Sequence, residues 1–99
     1  MTLEAFKEMV DSTDEPPAEW SSALRALWCA RRDRWHDAHD LVQDDGSSLG
    51  SWIHGHLHLI EGDLGNAGYW YSRAGKPAGT PEGIAEDWET IAVSALAQS

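Results

Sequence analysis

Apolar residues recur three or four positions apart along most of this chain, which is the spacing of one face of an α-helix. Ile53, Leu57 and Ile60 form one such stripe, and Leu64 begins another with Ala67. No segment alternates apolar and polar residues in the manner of a strand. The pattern therefore predicts an all-α protein with six helices, at about residues 2–11, 17–32, 35–44, 48–61, 64–74 and 81–97.

Residues that favour helix ends accompany these stripes. Thr2 and Asp63 are suited to cap the first and fifth helices, because their side-chain oxygens accept hydrogen bonds from free backbone N–H groups. Pro17 fits the first turn of the second helix, where its missing N–H has no intrahelical partner to lose. Gly46 and Gly75 are predicted to end the third and fifth helices.

The second and third helices resemble the fourth and fifth when the chain is shifted by 29 residues, so that Leu24 falls on Ile53 and Trp28 on Leu57. One helix pair cannot bury its apolar face alone, so two such hairpins are expected to stack and share a core. We therefore predict one domain over residues 1–99, divided into an N-terminal cap helix with its linker at 1–16, hairpin 1 at 17–46, hairpin 2 at 47–76 and a C-terminal cap helix at 80–99.

Residues 54–74, HGHLHLIEGDLGNAGYWYSRA, carry small and aromatic residues at characteristic places around a turn. These are Gly55 in the first helix, the turn Gly62-Asp63, and Ala67, Tyr71 and Ala74 in the second helix. Hairpin 1 matches at Ala26, Ala38 and Val42, and has Asp33 at the place of the turn glycine. The pattern resembles tetratricopeptide-type (TPR-like) hairpins, and the run 52–75 resembles small bacterial proteins of this helical kind. The resemblance implies a helical-hairpin fold that serves as a protein-interaction module.

The composition is acidic, with 17 Asp and Glu against 7 Lys and Arg and a net charge of −10. Such a surface repels phosphate backbones and anionic lipids, so neither nucleic acids nor membranes are expected as partners.

The single cysteine, Cys29, cannot form a disulfide within the chain, and the N-terminus lacks the pattern of a signal peptide, so we expect a cytoplasmic protein. Two hairpins are fewer than the three repeats that such stacks usually need, so we expect tightly packed end helices or a homodimer.

Three histidines alternate in the fourth helix, but the helical period separates them. His54, His58 and Glu61 share one face, because residues three and four positions apart are neighbours on a helix. His56 lies on the opposite flank. One interpretation is that His54 and His58 sit beside the core and hydrogen-bond to neighbours such as Glu61 or Tyr71.

A second interpretation makes these residues ligands of a divalent transition metal. His54 and His58 at i and i+4 can reach one ion, and Glu61 would add a carboxylate. Gly55 stands where a zinc metalloprotease helix has its glutamate base, which excludes that enzyme class. The local candidates for a further ligand are Asp63, His36 and His39. By default His36 and His39, with acidic residues beside them, are expected to face solvent.

A third interpretation places a polar groove between the two hairpins. The hairpin 1 counterparts of His54, His58 and Glu61 are Arg25, Cys29 and Arg32. If the first helices of the two hairpins lie side by side, these side chains line one surface that can hold a small anion or an acidic peptide terminus. Cys29 beside His58 would also form a nucleophile–base pair.

The sequence favours a non-enzymatic interaction module that binds a protein or peptide partner and needs no cofactor. Its predicted binding surface consists of His54, His58 and Glu61, adjoined by Arg25 and Arg32. The alternative is a metal-binding protein or a metal-dependent enzyme that uses His54 and His58, with Glu61, as ligands.

Overall fold

A computed structural model describes residues 1–98 of the chain. Its helices are α1 (Leu3–Ser12), α2 (Ser22–Arg31), α3 (Trp35–Val42), α4 (Ser48–Ile60), α5 (Leu64–Ala74) and α6 (Ile84–Ala97), with a 3₁₀ turn at Pro81–Gly83 before α6. No strand occurs within residues 1–98, so the all-α prediction is confirmed. Ser99, the last residue of the predicted C-terminal segment, lies outside the described residues. None of these helices combines the length and the apolar character that a membrane span requires.

The helices form two stacked hairpins, as predicted. α2 packs on α3 in hairpin 1, and α4 packs on α5 in hairpin 2. α4 is the central element, because it contacts α2, α3, α5 and α6. α6 also packs on α2, and α1 packs on α6, where the rings of Phe6 and Trp88 stack with centroids 5.6 Å apart. The membership of these hairpins in a TPR-like family stays a prediction.

The tight turns inside the two hairpins share one backbone conformation. Asp33 has a φ of 60° and Gly62, 29 positions later, has a φ of 84°. Glycine adopts this left-handed region without strain, and aspartate is among the few other residues that tolerate it. Gly75 has a φ of 73° directly after α5 and ends that helix as predicted.

The second helix begins five residues later than predicted. Its N-cap is Ser21, whose hydroxyl oxygen accepts a hydrogen bond from the backbone N–H of Leu24 at 3.3 Å. Residues 17–20 form a turn in which the N–H of Trp20 donates to the carbonyl of Pro17. The predicted helical role of Trp20 is therefore wrong. Its indole instead packs against Phe6 of α1, with ring centroids 5.3 Å apart.

Two predicted core positions are exposed. Ile60 is 37% exposed and Leu64 is 54% exposed. They are the last residue of α4 and the first residue of α5, and they flank the exposed turn at 61–63.

The third helix ends at Val42, before the predicted boundary near residue 44. Gly46 is not its terminator, because the backbone N–H of Gln43 already caps the helix on the carbonyl of His39.

Candidate functional site

α4 is buried over most of its length, with every residue from Gly50 to Leu59 buried. The helices around it enclose its polar side chains together with its apolar ones. His54, His56 and His58 are 4%, 1% and 8% exposed, respectively. His54 and His58 contact one set of neighbours and His56 another, as the helical period predicts. Buried polar groups require hydrogen-bond partners, so the surroundings of each ring define its chemistry.

His39 of α3 completes a cluster of three imidazoles with His54 and His58 of α4. Nε2 of His39 lies 3.0 Å from Nε2 of His54. One possible ligand nitrogen from each of the three rings lies within 4.8 Å of the other two. The expectation that His36 and His39 both face solvent is correct for His36, which is exposed. It is wrong for His39, because the packing of α3 on α4 brings that ring to the cluster.

Glu61 belongs to the surroundings of His58. Nδ1 of His58 and Oε1 of Glu61 are 2.6 Å apart, which confirms that the two share a face of α4. Glu61, His58 and Asp63 form a second group of possible ligands, in which both carboxylates are exposed. His54 and Glu61 do not occur in one group among residues 1–98. Glu61 and His54 therefore do not belong to the same group of possible metal ligands.

Two tryptophans enclose the imidazole cluster. The indole of Trp70 stacks on His54 with a centroid distance of 3.9 Å and an interplanar angle of 10°. The indole of Trp35 stacks on His39 at 5.0 Å, and its N–H donates to the carbonyl of Leu57 at 2.6 Å. The place of both tryptophans in the site depends on contacts between helices, which helical spacing does not predict.

The surroundings of His54 favour a neutral ring. Burial, and secondarily the nearby His39 and His58, lower the pKa of His54 to about 4. Its Nδ1 is buried and has no hydrogen-bond partner among the described residues. A neutral imidazole with available nitrogens is the form that binds a metal ion, since protonated histidine cannot be a ligand.

The predicted arginine part of the surface lies elsewhere. Nη1 of Arg32 donates to the carbonyl oxygens of Val10 and Thr13, both at 2.6 Å, and holds the segment that follows α1. Arg25 and Cys29 line a separate cleft of about 320 Å³ whose lining includes no histidine. Burial is the main influence that raises the pKa of the Cys29 thiol, which disfavours the thiolate that a nucleophile needs.

His56, on the other flank of α4, belongs to a polar network that the sequence did not reveal. Its Nδ1 lies 2.8 Å from Oδ2 of Asp87 in α6. The hydroxyl of Tyr71 in α5 donates to the same carboxylate oxygen. His56 and Asp87 are 31 positions apart, so no local spacing connects them.

Comparisons with models of protein families, with curated proteins and with solved structures find no match to this chain. The functional assignment therefore depends on the geometry of its side chains. The most concentrated arrangement is the cluster of His39, His54 and His58, in which two helices from different hairpins bring three imidazole rings together.

Proposed function

We propose that the protein binds a divalent transition metal ion through His39, His54 and His58. The observation that supports this proposal is the convergence of three ring nitrogens, one from each residue, within 4.8 Å of one another. A pair of histidines at i and i+4 is a weak signal, because two ligands seldom hold an ion. A third imidazole from α3 gives the ligand number that protein zinc sites with one open position use.

The spacing of His39 and His54 is close to that of two ligands of one ion. Nitrogen ligands about 2.0–2.1 Å from a tetrahedral zinc ion lie about 3.4 Å from each other. The Nε2 atoms of His39 and His54 are 3.0 Å apart, so a small rotation of either ring makes the required room. The fourth position remains for water or an outside ligand.

Glu61 orients His58 in this arrangement. When Nδ1 of His58 donates its proton to the Glu61 carboxylate at 2.6 Å, Nε2 is the nitrogen left for the ion. A carboxylate behind a histidine ligand is a common arrangement in zinc proteins, because it selects the tautomer and makes the ring more basic. Glu61 therefore acts in the proposal as a support for a ligand.

Imidazole ligands determine which ions are expected. Zn²⁺, Ni²⁺ and Cu²⁺ bind imidazole well, whereas Mn²⁺ prefers oxygen ligands and stands lowest in the affinity order of first-row divalent ions. The bound ion connects α3 of hairpin 1 to α4 of hairpin 2. We therefore expect it to stabilise the stacked fold as well as to occupy a site.

The burial of His54 and His58 is the reason for preferring this proposal to a partner-binding surface made of the same residues. Side chains that are 4% and 8% exposed offer little area to a protein partner. The role as a protein-interaction module that was predicted from the sequence stays a prediction.

Thermal unfolding of the untagged protein tests the proposal. The protein is first stripped with EDTA and then measured with Zn²⁺, Ni²⁺ and Mn²⁺ in turn. An ion that binds only the folded state at a hundred times its Kd raises the midpoint by roughly 10 °C in a domain of this size. We expect such a rise with Zn²⁺ and Ni²⁺ and little change with Mn²⁺.

The matched variants are His39→Ala and His36→Ala, which remove one histidine each from the same helix. His36 is exposed and outside the cluster, so its variant should keep the full response to Zn²⁺. His39→Ala should lose most of it. Equal responses in the two variants, or no response in the wild-type protein, would mean that the three rings are only hydrogen-bonded core residues.

A further inference from the structure

The network on the other flank of α4 is built from three helices. His56 of α4 and Tyr71 of α5 both hydrogen-bond to Oδ2 of Asp87 in α6. His56 and Tyr71 are each 1% exposed, and the Asp87 side chain is 14% exposed. The three groups are therefore held in place by the packing of hairpin 2 against the C-terminal helix.

The direction of these hydrogen bonds determines which nitrogen of His56 is available. The Asp87 carboxylate accepts, and burial together with Asp87 raises the pKa of the Tyr71 hydroxyl, so that this group keeps its proton and donates. Nδ1 of His56 is then the second donor to the carboxylate. In the neutral ring, Nε2 is then the nitrogen that carries the lone pair. Nε2 has no hydrogen-bond partner within residues 1–98 and is not fully buried.

A cleft of about 170 Å³ lies on this flank of α4. His56 is part of its lining, and the remaining walls are mostly apolar, with Ile60, Ile84, Ala85 and Trp88 among them. The Trp88 indole is fixed in position, because its N–H donates to the carbonyl of Leu27 at 2.9 Å. This hydrogen bond anchors the Trp88 side of the cleft to α2, and the cleft has few polar side chains.

Arg31 adds a donor to the same cleft. Its guanidinium lies over the Trp88 ring, 4.8 Å from the centroid. Within residues 1–98 Arg31 makes one ion pair, between its Nε and the exposed Asp11, and this pair is long at 3.4 Å. A ligand in the cleft can therefore meet a hydrogen-bond acceptor, Nε2 of His56, and a donor group, the end of Arg31.

We propose that this cleft binds a small apolar molecule that carries a hydroxyl group, of the chemical class of phenol. The hydroxyl donates its proton to Nε2 of His56, and its oxygen can accept from Arg31. A carboxylate lacks the proton that the nitrogen lone pair requires, and a plain hydrocarbon would leave that lone pair without a partner. An apolar cavity of about 150 Å³ accommodates benzene, so a single aromatic ring matches the volume.

The test is an NMR titration of ¹⁵N-labelled protein with phenol and, separately, with toluene, which has the same shape and no hydroxyl. EDTA is present throughout, so that the result does not depend on the proposed metal site. We expect saturable shifts of the Trp88 indole N–H with phenol, a change in the ¹⁵N resonance of His56 Nε2, and binding about threefold or more tighter than that of toluene. Water solvates phenol better than toluene, so tighter binding of phenol requires a polar partner in the cleft.

A variant that fills the cleft provides the control for location. Ala85 is exposed on α6 and lines the cleft, so Ala85→Leu should abolish phenol binding without altering the core. Ala97→Leu makes the same change at another exposed position of α6 and should leave binding intact. Three results would each overturn the proposal: no saturable shift with phenol, toluene binding as tightly as phenol, or phenol binding that survives in Ala85→Leu.

Discussion

Nε2 of His39 lies 3.0 Å from Nε2 of His54, although the two residues are 15 positions apart and belong to different hairpins. Two neutral imidazoles at this distance share one proton in a hydrogen bond, and a metal ion can take the place of that proton. The contact also joins α3 to α4. Whatever binds at this point therefore affects both a local site and the packing of hairpin 1 on hairpin 2.

The stability of the metal-free protein should depend on pH through His54. Its pKa is about 4 in the folded state, against an ordinary value of 6.5, so the unfolded chain binds this proton more readily. The contribution of His54 to the free energy of unfolding is complete above pH 6.5. It declines as the pH falls, and about 3 kcal/mol of it is lost near pH 4. Urea unfolding with EDTA at several pH values measures it.

The contribution of His54 is isolated by comparing variants. His54→Leu replaces the ring with an apolar side chain and should lose this part of the pH dependence. His36→Ala removes an exposed histidine and should retain it. If the wild-type protein and His54→Leu decline in parallel from pH 6.5 to pH 4, the lowered pKa of His54 is wrong.

Removal of the carboxylate behind His58 should weaken metal binding. Glu61→Gln replaces the acceptor at 2.6 Å from Nδ1 with a neutral amide, so His58 becomes a poorer ligand. Loss of such a partner lowers metal affinity by about 10–100-fold. Calorimetric titration with Zn²⁺ measures the change, and Glu82→Gln, an exposed acid on the 3₁₀ turn, is the control. Equal affinities in the two variants would remove Glu61 from the site.

The close approach of α4 and α5 at Gly55 should make any side chain unfavourable at that position. A Cβ at this position would lie 3.1 Å from the backbone nitrogen of Tyr71 and 3.2 Å from the carbonyl oxygen of Ala67. Gly55→Ala should therefore destabilise the protein by about 1–3 kcal/mol, because neither backbone atom can move independently.

The control for this prediction is Gly68→Ala. Gly68 lies inside α5, and a Cβ there meets nothing within 4 Å. Alanine has the higher helix propensity, so this variant should be about 0.5–1 kcal/mol more stable than the wild type. Urea unfolding gives both values. Stabilisation by Gly55→Ala as well would show that α4 and α5 are further apart than described.

The hydroxyl of Tyr71 should contribute strongly to stability. Tyr71→Phe removes a buried donor to the Asp87 carboxylate and should cost about 2 kcal/mol, because hydrogen bonds to charged groups are the stronger kind. Tyr69→Phe makes the same change on a side chain that is 55% exposed and should be nearly neutral. Equal midpoints of thermal unfolding in these two variants would contradict the network.

The positions and types of the helices followed from the sequence with few errors. Helical period, caps and breakers act within a few residues, so they predicted α3, α4 and α5 to within two residues at each end and the start of α6 to within three. The same local period correctly separated His54 and His58 from His56. The predicted start of α2 was wrong because Trp20 lies before the helix and packs against Phe6 of α1. The spacing of residues within one helix does not predict such a contact.

The composition of the site depended on how the hairpins pack. His39 looked like a solvent-facing residue on an acidic helix, and it enters the cluster only because α3 lies against α4. Arg25 and Arg32 looked like neighbours of the histidines, yet one lines another cleft and the other binds backbone carbonyls near Thr13. Residues on one helix are related by a known period, whereas residues on different helices are related by the sum of many interhelical contacts. The chain therefore determined its helices and their faces locally, and the tertiary packing decided which of those faces meet.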